Sequence, residues 1–151
     1  MRWLLGAVLV VAIAAAATFW FACPCAVVPG GALGGQMVQQ APDDWSFVDD
    51  VPLCQLQVQR AIPWSINLNC MSDAGELFVS CSQCEGKRWS AAALQHPDGV
   101  LRAGAQLYPV VITRVVAPDQ LDRAWAARAA KVGRDTGPRP DHWWSFKLTS
   151  R

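Results

Sequence analysis

Six cysteines in 151 residues are the side chains best able to do chemistry here. Cys81-Ser82-Gln83-Cys84 is a CxxC, and Cys54 and Cys70 lie in the segments before it. Thiols so placed can form disulfides, hold zinc or cycle as a dithiol pair. One CxxC without a second pair is weak for zinc, and a thioredoxin-like pair needs a helix N-terminus inside a βαβ unit. The default for an exported domain is disulfide bonding among Cys54, Cys70, Cys81 and Cys84. The pairing stays open, because four cysteines allow three connectivities.

A second chemical cluster follows at once, Gly86-Lys87-Arg88-Trp89. Adjacent cations give charge-assisted hydrogen bonds to phosphate oxygens, although a solvated strand end carries the same residues. Trp89 suits either a core or the wall of a binding site. His96 and His142 are isolated and read as surface or cap residues. No Ser-His-Asp arrangement and no Gly-rich nucleotide loop is present. Apart from Arg2, twelve basic residues face twelve acidic ones, so the domain has no electrostatic footprint for nucleic acid.

The elements that position these residues show a period of two. Cys54-Gln55-Leu56-Gln57-Val58-Gln59 alternates apolar and polar residues, the mark of a half-buried strand. A second alternation runs from Trp64 to Cys70, and Leu77-Phe78-Val79-Ser80-Cys81 returns after the turn residues Ser72-Asp73-Ala74-Gly75. Pairing these two runs about the Asp73–Ala74 bond sets Ile66, Leu68 and Cys70 opposite Cys81, Val79 and Leu77. A directly facing Cys70–Cys81 bridge is disfavoured by that register. The other face then carries Ser65, Asn67, Asn69, Ser80 and Ser82 with Phe78, either a solvated face or a hydrogen-bonding wall for a polar ring system. Ser90 is placed to cap a short Ala-rich helix ending before Pro97. Strands follow over 100–103 and 107–116. Asp119 is placed to cap an amphipathic helix running to about Lys131, which Gly133 breaks, and 143–149 closes the chain as a strand. The pattern predicts a mainly β (α+β) domain, a six-stranded antiparallel barrel with two short helices.

The N-terminal end is different. Residues 3–42 contain no charged side chain and no histidine, and 3–28 are apolar enough for either a membrane anchor or a secretory signal. Trp3 and the Phe19-Trp20-Phe21 cluster suit two membrane interfaces, whereas Ala15-x-Ala17 suits a cleavage site. Both readings put the domain on the periplasmic or extracellular side, single-pass with the N-terminus inside or secreted after cleavage. Cys23-Pro24-Cys25 raises lipid attachment, which the bulky Trp20-Phe21 fits poorly. The expected organisation is an anchor or signal over 1–28, a Gly-rich flexible linker over 29–43, and a barrel domain over 44–151.

From about Trp45 to Arg151 the chain resembles the pyridoxamine-phosphate-oxidase-like, FMN-binding split-barrel superfamily. It is most similar to the superfamily's deazaflavin-dependent nitroreductase/quinone-reductase branch. The residues that carry the resemblance are Gly86-Lys87-Arg88-Trp89 with Leu94 and Pro97, like the branch's basic-x-Trp…Leu…Pro segment after the third strand. The resemblance implies FMN or a deazaflavin as cofactor and hydride transfer to a small or quinone-like acceptor. It implies that Lys87 and Arg88 meet the cofactor phosphate and that Trp89 packs beside the ring. Arg60, Ser80 and Asn67 would line the same site. The branch's Gly-rich basic turn between the first strands is absent here, and deazaflavin is mainly cytoplasmic in the family. The expected role is therefore a membrane-anchored reductase, with membrane lipid, a small acceptor, and a membrane protein or second copy as partners. The alternative is a non-catalytic accessory or scaffold subunit, and a third reading is a thiol redox module on Cys81 and Cys84.

Overall fold

The computed structural model describes residues 2–21 and 30–151, with side chains over 3–19 and 30–151. Cys23, Cys25 and most of the expected anchor boundary lie outside the described residues. Helix α1 (Arg2–Phe21) leads the chain. From Trp3 to Thr18 its side chains are exposed, and the Phe19 ring packs on Trp64 with centroids 6.0 Å apart. Its described side chains span about 26 Å of rise, against a hydrocarbon core of about 30 Å. Among the described residues no helix is long and apolar enough to cross a membrane, so the transmembrane expectation is not met there. A signal needs only a shorter apolar stretch.

The alternations become an eight-stranded sheet rather than the expected six-stranded one. Its members are β1 (Gln36–Met37), β2 (Cys54–Val58), β3 (Trp64–Leu68), β4 (Cys70–Asp73), β5 (Glu76–Ser82), β6 (Asp98–Ala103), β7 (Gln106–Arg114) and β8 (Trp143–Ser150). The order is β3-β2-β6-β7-β8-β5-β4, antiparallel throughout, with β1 parallel to the start of β7. Two strands exceed the expectation. The run from Trp64 to Cys70 breaks at Asn69 into β3 and β4, which lie at opposite edges of the curled sheet, and β1 arises within the expected linker.

That break overturns the expected hairpin. β3 pairs with β2, Cys54 facing Leu68 and Val58 facing Trp64. β4 pairs with β5, Cys70 facing Val79 and Asp73 facing Glu76. The turn is Ala74-Gly75, both at positive φ (50° and 77°), the two-residue geometry whose twist matches the flanking strands. Centring the turn one residue later preserves the inside–outside parity. Cys70, Leu77 and Val79 accordingly remain in the main core with Leu56, Val58, Leu101, Val110 and Phe146. The opposite face of β4 and β5 is not an open polar wall. Met71 and Phe78, both fully buried, form a second core with Val115, Ala124 and Ala127 beneath α3 (Pro118–Val132).

The helices start differently from the expected caps. Pro118 occupies the first turn of α3 after Ala117, so Asp119 falls inside the helix and makes no capping bond. Gly133, at φ 64°, ends it as expected. α2 (Arg88–Gln95) follows Lys87, and Ser90 lies within its first turn, donating to the carbonyls of Cys84 and Lys87. The 29–43 stretch is fastened in part. Gly30 and Ser65 exchange backbone hydrogen bonds, Leu33 N–H donates to Gln57 Oε1 at 2.7 Å, and Arg102 donates to Gln55 Oε1 (2.6 Å) and to the Gly34 carbonyl. A 3-10 turn (Ser46–Asp50) inserts Val48 into the core. Lys131 Nζ holds its end by donating to the carbonyls of Val48, Asp49 and Val51 at 2.6–2.8 Å.

Candidate functional site

Strand β2 ends at Val58, and the chain turns through Arg60 before entering β3 at Trp64. Helix α2 lies beside this turn and starts with Arg88. Both guanidiniums stack on one ring: Cζ of Arg60 is 5.4 Å and Cζ of Arg88 5.7 Å from the Trp64 centroid. Cation–π contact holds guanidiniums that solvent would otherwise leave mobile. A cavity of about 330 Å³ opens beside them, lined by Arg60 and Arg88 with Gln59, Gln95 and His96. Its lining holds two permanent cations and no carboxylate. Such a cradle attracts an anion, and a planar guanidinium matches phosphate oxygens two at a time.

Lys87 does not share it. Lys87 has extended backbone (φ −91°, ψ 136°) while Arg88 is already helical, and the two side chains part. Lys87 lines a second cavity of about 480 Å³ with Glu85, Asp141, His142 and Trp144. Two carboxylates there offset the ammonium. The far wall is reinforced by Arg114, whose Cζ lies 3.6 Å from the Trp144 centroid.

The remaining expected site residues disperse. Trp89 is buried in the main core, its ring 5.1 Å from Phe146. Ser80 is buried opposite Ser145, and neither hydroxyl has a hydrogen-bond partner among the described residues. Asn67 is half-buried on β3 opposite Gln55. Of the six expected residues, the fold brings Arg60 and Arg88 to one cavity. Trp64 and His96 join them unforeseen, since the alternation marked Trp64 only as a strand residue and His96 has no local partner. Packing of α2 against β2 and β3 gathers the four, and no local period reports it.

The cysteines form Cys54–Cys70 and Cys81–Cys84, with Cα atoms 5.7 and 5.6 Å apart. Among the described residues no three His, Cys, Asp or Glu side chains are grouped to hold a metal ion. Among the described residues an ionic cluster sits away from the two cavities. Arg123 of α3 meets Asp73 at 2.5 Å and Glu76 at 3.1 Å, and Lys147 also pairs with Glu76. The hydrogen bond from Lys147, supported by the charges of Lys147 and Arg123, lowers the Glu76 carboxyl below its ordinary value against some desolvation.

No protein-family model matches the chain, and no curated protein matches it. Solved structures do. A candidate pyridoxamine 5'-phosphate oxidase from Listeria innocua superposes with a TM-score of 0.58 at 9% identity, over 69% of this chain and 87% of that one. A NimC/NimA family protein from Clostridium acetobutylicum gives 0.53 at 10% identity, over 68% and 76%. A candidate 5-nitroimidazole antibiotic resistance protein from Bacteroides thetaiotaomicron gives 0.58 at 7% identity, over 81% and 87%. At such identities the likeness fixes the fold, the pyridoxamine-phosphate-oxidase-like split barrel that the residues around Trp89 resemble. It does not single out the deazaflavin branch.

Proposed function

We propose that this chain is an exported split-barrel protein that grips the phosphate of a flavin-type cofactor, FMN or a deazaflavin, between Arg60 and Arg88. The observation that carries the reading is the pair of guanidiniums on Trp64 at the mouth of a carboxylate-free cavity. The donor set fits a phosphate, and the volume lies at the lower end of small-molecule sites, about 300–1,000 Å³, which suits a phosphate-bearing tail. Such a cofactor supplies the hydride chemistry, here toward a small or quinone-like acceptor. The chain's own contribution is orientation: Trp64 holds both guanidiniums, while Gln59, Gln95 and His96 offer hydrogen bonds beside them. Lys87 is left out of the phosphate grip.

Hydrogen bonds to charged groups contribute about 1.5–3 kcal/mol, and exposure places these at the low end. Arg60→Ala and Arg88→Ala should each weaken FMN binding about tenfold, and Lys87→Ala far less. Absorbance and fluorescence titration of detergent-purified full-length protein measures this. No FMN or deazaflavin binding by the wild type would favour the accessory-subunit reading. Equal losses from all three variants would remove the cavity assignment.

Export is the second part of the proposal, supported by the two disulfides, which persist in oxidising compartments, and by the charge-free apolar stretch of α1 after Arg2. Membrane lipid and a membrane-protein or second-copy partner belong to the same proposal.

A further inference from the structure

The two disulfides occupy very different places. Cys54–Cys70 joins positions 16 apart and ties β2 to β4 across the open seam of the sheet. Cys81–Cys84 closes a separation of 3, so it removes little freedom from the unfolded chain. Its setting is local. Cys81 lies near the end of β5 opposite Trp144, and Cys84 begins the 3-10 turn that leads into α2. Between them Gln83 is held at φ 50°, a left-handed conformation that a non-glycine residue adopts at a cost. Its N–H donates to the His142 carbonyl at 3.1 Å. The Cys84 carbonyl accepts from Lys87 N–H (3.0 Å) and from Ser90 Oγ. Both the extended Lys87 and the first turn of α2 are therefore fastened to Cys84, and Arg88 is the helix's first residue.

We propose that Cys81–Cys84 is a positioning crosslink for Arg88, so that its oxidation state sets the anion affinity of the Arg60–Arg88 cavity. Oxidised, it fixes the turn that sends Arg88 to Arg60 and Lys87 to the opposite cavity. A dithiol reductant opens it: one thiolate attacks a cysteine sulfur, a mixed disulfide forms, and the second thiol displaces it. Both cysteines end as thiols, and the reductant leaves as a disulfide carrying off the two-electron oxidation. Both cysteines are buried, so exchange proceeds through local opening of the 83–87 turn, whose residues other than Cys84 are exposed. The proposal rests on the assignment of Arg60 and Arg88 to a phosphate.

The test uses full-length protein in detergent, as wild type, Cys81→Ser/Cys84→Ser and Cys54→Ser/Cys70→Ser, with FMN as the probe. Amide hydrogen exchange over 83–92, FMN affinity and thermal midpoint are read on each. For Cys81→Ser/Cys84→Ser we expect faster exchange over 83–92 and at least tenfold weaker FMN binding. Its midpoint should fall less than that of Cys54→Ser/Cys70→Ser. Dithiothreitol should bring wild-type exchange over 83–92 to the level of the Cys81→Ser/Cys84→Ser variant. Unchanged exchange over 83–92 would overturn the proposal, and so would faster exchange with unchanged FMN affinity. If the wild type binds no FMN, the phosphate reading fails, and the exchange data alone decide whether the crosslink positions the turn.

Discussion

Glu76 shows how a few side chains join three elements. It accepts from Lys147 of β8 and Arg123 of α3, and Arg123 also reaches Asp73 across the turn. The folded state lowers the Glu76 carboxyl, chiefly through the Lys147 hydrogen bond. A lowered acid stabilises the fold above its unfolded value, about 4.3, and loses that contribution as pH falls through the folded value. Glu76→Gln should therefore cost a few tenths to about 1 kcal/mol near neutrality. The difference from wild type should shrink below the unfolded value and vanish only once pH falls below the lowered folded value, in denaturant melts across pH. A gap that persists in acid would point to packing rather than charge. At this scale the sequence was partly legible. Arg60 and Arg88 were named through the family resemblance, which treated Lys87 and Arg88 as one pair. Neighbours in a chain that switches from extended to helical between them need not share a direction, and the switch depends on the Cys84 carbonyl, which no local pattern announces.

The elements were legible wherever one face met the core. β2 and β6 alternate strictly between core and surface, and α3 ends at its glycine. The misreading lay between Trp64 and Cys70. The alternation stays in phase through Asn69, so nothing in the pattern marks where one strand leaves for the other edge of the sheet. β1 has only two residues and was hidden in a glycine-rich stretch. Close approach of β6 to its neighbours gives this level its own test. A Cβ on Gly99 would lie 2.8 Å from Ile112 Cδ1 and 2.9 Å from the Gln57 carbonyl oxygen. The terminal methyl of Ile112 can move, but the backbone of β2 cannot without breaking its ladder to β6. Gly99→Ala should then destabilise by about 1–3 kcal/mol, as other overpacked cores do, seen as a lower urea midpoint with an unchanged slope. A neutral result would mean that β2 and β6 separate more freely than their pairing implies.

For the whole molecule, the mainly β, antiparallel, split-barrel architecture was readable because hairpin spacing and a two-residue period leave few alternatives. What α1 becomes was not, since anchors and signals share the same composition. Intact mass of the protein recovered from its producing cells decides between them. We expect export, with either residues 1–17 missing through cleavage after Ala17 or the full chain retained in the membrane fraction. Full-length protein in the soluble cytosol would overturn the export proposal. The placement of β3 and β4 has one more effect. They are consecutive in the chain yet sit at the two free edges of the sheet, joined by Asn69, while Cys54–Cys70 ties β4 to β2, the neighbour of β3. A backbone nick at Asn69 would leave every hydrogen-bonded strand pair whole, with the disulfide keeping both pieces in one molecule. The barrel is thus a strip whose two ends share one core and one sulfur bridge, so its closure does not rest on the continuity of the chain alone.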